Sequence, residues 1–129
     1  MPPIENLQRV PLYHLEALER QGVFTTGLLL EVSETPTRRQ YLADQINATT
    51  NDVNEWRDEA LLLNLANFGV DEQVLFTQAG IVGLSDLLAL ELDDFRTRLH
   101  RGARFVGVGA PDDLIVEGWW EQARTLREE

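Results

Sequence analysis

Apolar residues along this chain recur at spacings of three and four, and in two stretches they recur in the same order. Leu7, Val10, Leu12, Leu18 and Val23 in the first stretch meet Leu65, Phe68, Val70, Phe76 and Ile81 in the second at one constant offset, which also brings Leu29-Leu30 onto Leu87-Leu88. Such spacing puts the residues on one face of an α-helix, so each stretch predicts a helix with one buried stripe. Gly22 and Gly80 stand where each helix ends. A left-handed residue is needed there, glycine tolerates that conformation, and the following Val23 or Ile81 can fold back onto the core. A short apolar helix comes next, so each copy reads as a helical hairpin.

A second helical pair follows each hairpin. Thr35-Pro36 is an N-cap followed by proline at the first helical position, with Tyr41, Leu42 and Ile46 as the apolar face behind it. Thr49 with Asp52, or Thr50 alone, opens the next helix, in which Val53, Trp56, Ala60 and Leu63 share a face. In the second half Asp93 or Asp94 caps a helix carrying Phe95 and Leu99, and Pro111-Asp112 opens the last one. That helix repeats a detail of the first half, since Trp56 and Ala60 correspond to Trp119 and Ala123, each pair one turn apart. A large ring over a small residue is a core arrangement, which makes Trp56 and Trp119 structural. The other use of either ring would be as a stacking platform for a ligand.

No glycine-serine or proline-rich linker parts the halves, and a helix is predicted to run across the join from about Asn51 to Asn67. The expectation is an all-α, compact domain of about seven to nine short helices. Residues 1–6 would be a disordered or extended segment, 7–66 the first repeat, and 67–129 the second repeat packed with it as one body.

Composition narrows the function classes. The 43% hydrophobic content is ample for a core in a chain of 129 residues. No cysteine is present, which excludes a disulfide framework, a thiolate metal site and a cysteine nucleophile. The opening Met1-Pro2-Pro3-Ile4-Glu5-Asn6 has neither the basic region nor the apolar run of a signal peptide, and no stretch reaches the roughly 20 apolar residues of a membrane span. These features predict a soluble, cytoplasmic protein without a membrane partner. A net charge of -11 repels polyanions, so unspecific attraction to nucleic acid is disfavoured. All eleven basic residues are arginines.

The Gly22-Val23 and Gly80-Ile81 helix ends, the Thr35-Pro36 cap, Trp56 and the Trp119-x-Glu121-Gln122-Ala123 helix together resemble a bacterial and cyanobacterial family catalogued as domain of unknown function 4332. The resemblance covers roughly Leu7 to Leu126 and implies tandem helix-hairpin-helix-like units. In helix-hairpin-helix domains that bind DNA, a glycine-bearing hairpin leaves backbone N–H groups free for a phosphate. Here the first hairpin is Val10-Pro11-Leu12, with no glycine and one donor removed by proline. The second, Phe68-Gly69-Val70-Asp71-Glu72, keeps one glycine beside two acids. Both hairpins read as disabled for phosphate.

One segment breaks the acidic trend. Arg96, Arg98, His100, Arg101 and Arg104 precede Phe105-Val106-Gly107-Val108-Gly109, which by itself looks like a phosphate-binding hairpin ahead of a helix N-terminus. These five residues with Gly107 and Gly109 form a candidate site for an anion or acidic partner. The alternative is a solvated face whose arginines pair with Glu91, Asp93 and Asp94, an Asp94 to Arg98 pair adding only about 0.3–0.5 kcal/mol. His14 and His100 each lack a second histidine one turn away, so no metal is assigned, and His14 is expected to be exposed at the start of its helix. The acid pairs Glu16 with Glu19, Asp58 with Glu59, and Glu117 with Glu121 are placed on solvated faces. No catalytic set and no cofactor are expected. The sequence therefore points to a non-enzymatic protein-interaction module with an unidentified protein partner, or alternatively to DNA or RNA binding through the Arg96–Gly109 segment.

Overall fold

Capping side chains set the helix starts in the first half of the chain. The Thr35 hydroxyl accepts from the Arg38 N–H at 3.1 Å with Pro36 behind it, and opens α3 (Pro36–Ile46). Thr49 and Asp52 form a reciprocal box at 3.1 and 3.0 Å that opens α4 (Thr50–Leu63). Thr25 caps α2 (Thr26–Val32), and α1 (Leu12–Arg20) starts at Pro11. The computed structural model describes residues 2–126, which divide into two compact units, Met1–Asn64 and Leu65–Glu129. Eight α-helices and no strand occur among the described residues, so the all-α expectation holds. No helix there is long and apolar enough to cross a membrane.

In the first unit α4 packs against α2 and α3, and α1 against α3. Leu18, Leu29, Ala43, Val53, Trp56 and Ala60 fill the centre. Arg57 is buried with them, donating to the Leu30 carbonyl at 2.9 Å and the Ser33 hydroxyl at 2.6 Å. α4 ends at Leu63, short of the predicted crossing to Asn67, where the chain passes to the second unit. Tyr41 is 66% exposed, because Leu42, Ala43 and Ile46 occupy the inner face of α3 and leave it pointing outward. Of the N-terminal residues expected to be disordered or extended, Pro3 is extended and forms an isolated bridge with Thr25. Ile4 is buried in a 3-10 turn (Ile4–Asn6), its N–H donates to the Phe24 carbonyl at 2.8 Å, and the Thr26 N–H donates to Pro2 at 3.0 Å.

The second unit holds α5 (Val70–Gln78), α6 (Leu84–Leu88), α7 (Leu92–Val106) and α8 (Asp113–Thr125). α7 packs on α5 and on α8, and α6 on α8. Phe76 stands edge-on to Phe68, Phe95 and Trp119 at centroid distances of 4.8, 5.7 and 5.1 Å, the geometry in which one ring's positive edge meets another's negative face. Trp120 donates to the Leu90 carbonyl at 3.1 Å, and Arg124 stacks on that indole 3.5 Å from its centroid while donating to the same carbonyl at 2.9 Å. α7 starts two or three residues earlier than expected. Its N-cap is Glu91, which makes no side-chain capping bond, and Asp93 and Asp94 lie in the first turn, where negative charge favours the helix dipole.

α1 and α5 are each nine residues long and each is followed by a left-handed glycine, Gly22 at φ 85° and Gly80 at φ 78°. Leu12 and Val70, the first residue of each helix, face water rather than the core. They lie beyond the edge of the buried stripe, although helical spacing placed them in it.

Candidate functional site

The loops before α1 and α5 carry backbone N–H groups whose partners decide whether an external anion could be held there. In the first unit Leu7 and Val10 are buried and pin the loop between them, so that the Gln8 and Arg9 N–H groups point inward. They do not face solvent. Both donate to the carboxylate of Glu59 on α4, at 2.8 and 2.9 Å, and Glu59 is 1% exposed. The Arg9 guanidinium lies on Asp58 at 3.0 Å and Glu55 at 3.6 Å. Burial pushes the Glu59 carboxyl above its usual range, while the two N–H bonds and the Arg9 charge act in the opposite direction. An internal carboxylate thus takes both N–H donors of this loop and leaves neither to an external phosphate. Asp58 and Glu59 are therefore not on a solvated face, as their sequence suggested.

In the second unit the Ala66 N–H donates to the Gln122 side chain at 3.0 Å, and the Trp119 indole donates to the Ala66 carbonyl at 2.7 Å. Gly69 donates its N–H to Glu72 at 2.8 Å. A neutral amide and a capping carboxylate occupy this loop.

The Arg96–Gly109 segment does not form a single site. Phe105 and Val106 complete the last turn of α7, and Gly107 is its left-handed C-cap at φ 85°. The Gly107 and Val108 N–H groups donate to the Ala103 carbonyl at 2.9 and 3.0 Å, so neither is offered to an anion. The N-terminus of α8 carries Asp112 as its cap and Asp113 in its first turn. Arg96 turns toward Asp93, Asp113 and Glu117, at 3.3, 3.8 and 3.6 Å. Arg98, Arg101 and Arg104 are exposed and make no ion pair among the described residues. Arg98 and Arg101 line a cavity of about 460 Å³ with Gln78, Gly102 and Phe105, the last 79% exposed. His100 and Gly109 are exposed and contribute to neither the arginine cavity nor an ion pair among the described residues, although Gly109 borders the groove described next.

That second groove was not foreseen. Also about 460 Å³, it runs between α5 and the α7–α8 connection, with Val74, Val106, Val108 and Ile115 on its walls and Leu75 and Trp119 beneath. Val74 is 47% and Val108 52% exposed. The charged residues that line it are Asp71 and Glu72. Exposed Val70 continues the α5 row one turn before Val74, and exposed Leu114 precedes Ile115 on α8.

A family model described as a domain of unknown function, DUF4332, matches residues 13–126. The chain belongs to this family. No curated protein and no solved structure matches it. The DUF4332 match opens at Tyr13, inside α1, so the loop bound by Glu59 precedes the matched segment while Glu59 lies within it. Trp56 and Trp119 are both buried in this DUF4332 chain. His14 is half-buried instead of exposed, because its ring packs 5.2 Å from Trp56 and its Nε2 lies 3.4 Å from the Asn47 carbonyl. Glu59 and the groove escaped the sequence reading because each depends on elements far apart in the chain. A glutamate on the same helix as Trp56, next to the buried stripe, was the available signal for the first.

Proposed function

We propose that this chain is a non-enzymatic protein-interaction module that seats a partner protein in the apolar groove of its second unit. The observation that carries this reading is the run of exposed valine and isoleucine side chains around one concave floor, since contiguous apolar surface left in water marks a docking site. Of the groove's two acids, Glu72 is committed to the Gly69 N–H, an arrangement suited to holding the α5 N-terminus rather than to proton transfer. The reading also takes the two units as diverged helix-hairpin-helix-like copies at work in the bacterial cytoplasm. The matching lengths of α1 and α5, and Glu59 and Gln122 each accepting from a hairpin N–H, support the kinship. A photo-crosslinking residue at Val108, installed in the native host, is expected to form an adduct with a discrete protein, while one at Tyr41 in the first unit forms none. Equal labelling from both positions, or none from Val108, would overturn the reading.

Nucleic-acid binding is the second reading, favoured by exposed Arg98, Arg101 and Arg104, without an ion pair among the described residues, beside exposed Phe105, since arginines neutralise phosphates and an aromatic ring can stack on a base. The carboxylate in the first hairpin and the aspartates at α8 weigh against it. It requires salt-dependent binding of a labelled oligonucleotide at about 50 mM salt, lost when all three arginines become glutamate. Absence of binding under those conditions would dispose of it.

A further inference from the structure

We propose that the groove's occupant is an amphipathic helix of a partner protein whose apolar face is flanked by lysine or arginine. This rests on the docking reading above and specifies its partner. Three observations carry it.

The first is the backbone. Strand addition needs a sheet edge with unpaired N–H and C=O groups, and the described residues contain no strand. A segment docked on helices alone must satisfy its own backbone, which a helix does. The second is the apolar layout. Val74 on α5 shares the groove with Val106, Val108 and Ile115 above a floor of Leu75 and Trp119, and exposed Val70 lies one turn before Val74 on the same helix. Such a trough accepts side chains spaced three and four apart on one helix face.

The third is charge. Asp71 and Glu72 stand on one wall, and exposed Asp112 follows Pro111 of the other in sequence, while Asp113 is paired with Arg96. Asp71 has no ion-pair partner among the described residues. The arginines at 98 and 101 line the other cavity and leave this one negative. With a chain charge of -11, the field steers a basic segment inward and repels an acidic one. A second copy of the chain is a poorer occupant, because Phe105, which it exposes beside Arg101 and Arg104, is not part of a row of apolar residues at helical spacing. Its apolar patch at Leu28, Val32 and Tyr41 lies among Glu31, Glu34 and Asp44, which would meet Asp71 with like charge.

The experiment uses the full chain and three labelled helical peptides of about 18 residues, long enough for a stable turn count. One has a leucine face flanked by lysines, the second the same face flanked by glutamates, and the third the lysine composition scrambled so that no apolar face exists. Binding is read by fluorescence anisotropy at about 0.15 M salt, where surface attraction alone is largely screened. The lysine-flanked helix is expected to bind at least about tenfold tighter than either other peptide. Val74→Gln with Val108→Gln should weaken it about tenfold, and Asp71→Asn two- to threefold, roughly the effect of one rim charge. Far-UV circular dichroism confirms that these exposed substitutions leave the fold intact.

Equal binding of the glutamate-flanked helix would overturn the basic partner and leave the docking reading standing. Equal binding of the scrambled peptide, or no binding of any, would overturn both. Self-association of the chain that is abolished by Val74→Gln with Val108→Gln would replace the partner by a second copy and overturn the proposal.

Discussion

Replacing Glu59 by alanine removes the acceptor of two backbone donors at once. The Gln8 and Arg9 N–H groups then face the space left by the side chain. Each lost bond to a charged acceptor is worth about 1.5–3 kcal/mol in a dry site, with the low end appropriate here because Gln8 is exposed and water can reach the loop. The one missing methylene adds roughly 0.8 kcal/mol, and relief of the carboxylate's own desolvation subtracts a part. The expected loss for the first unit is about 2–4 kcal/mol. Gln122→Ala, which removes one neutral bond at 3.0 Å in the second unit, should cost about 1 kcal/mol. Because the chain has two compact units, unfolding need not be a single transition, so urea titration should be paired with amide exchange at Gln8 and Arg9. A Glu59→Ala loss below about 0.5 kcal/mol, with those two amides exchanging no faster, would refute the account of this loop.

The remaining predictions follow from single contacts. Burial raises the Glu59 carboxyl above its usual 4.5, so the unfolded chain releases this proton first, and the group's contribution to stability is whole below about pH 4.5 and declines as pH rises through the folded value. The stability difference between the native chain and Glu59→Gln should therefore narrow from pH 4 to 7 in urea unfolding, and a widening difference would mean a lowered carboxyl. A Cβ at Gly102 would stand 3.3 Å from both the Leu75 carbonyl oxygen and its Cδ1, so Gly102→Val should cost roughly 2–3 kcal/mol in thermal unfolding by forcing α5 from α7. Gly22 has nothing within 4 Å of such a carbon, and Gly22→Ala should cost only the left-handed backbone penalty of about 1–2 kcal/mol. Trp119→Phe leaves the Ala66 carbonyl without its 2.7 Å donor and should lower stability by about 1–3 kcal/mol, measured by the same melt.

What the sequence revealed is what local chemistry decides. Thr35-Pro36, Thr49 with Asp52, and Asp112 cap the helices they were read to cap, because a cap acts on N–H groups two or three residues away. The glycines at 22 and 80 were legible for the same reason. Glu59 was misplaced because its partners lie 50 and 51 residues away. A glutamate in an acidic helix gives no local sign that a distant loop will close over it. The arginine cluster, contiguous in sequence, is divided by the helix: Arg96 turns to α8 while Arg98 and Arg101 turn toward the end of α5. The groove needed α5, the end of α7 and α8 in one frame, and periodicity within one element cannot report on three.

Gly102 has a consequence beyond tight packing. Its bare backbone lets α5 and α7 approach closely at Leu75, and Leu75 lines the acidic, apolar groove while Gly102 lines the arginine cavity. The two hollows therefore border the same α5–α7 contact. A substitution that forces α5 away from α7 at this contact should therefore alter the dimensions of both hollows at once.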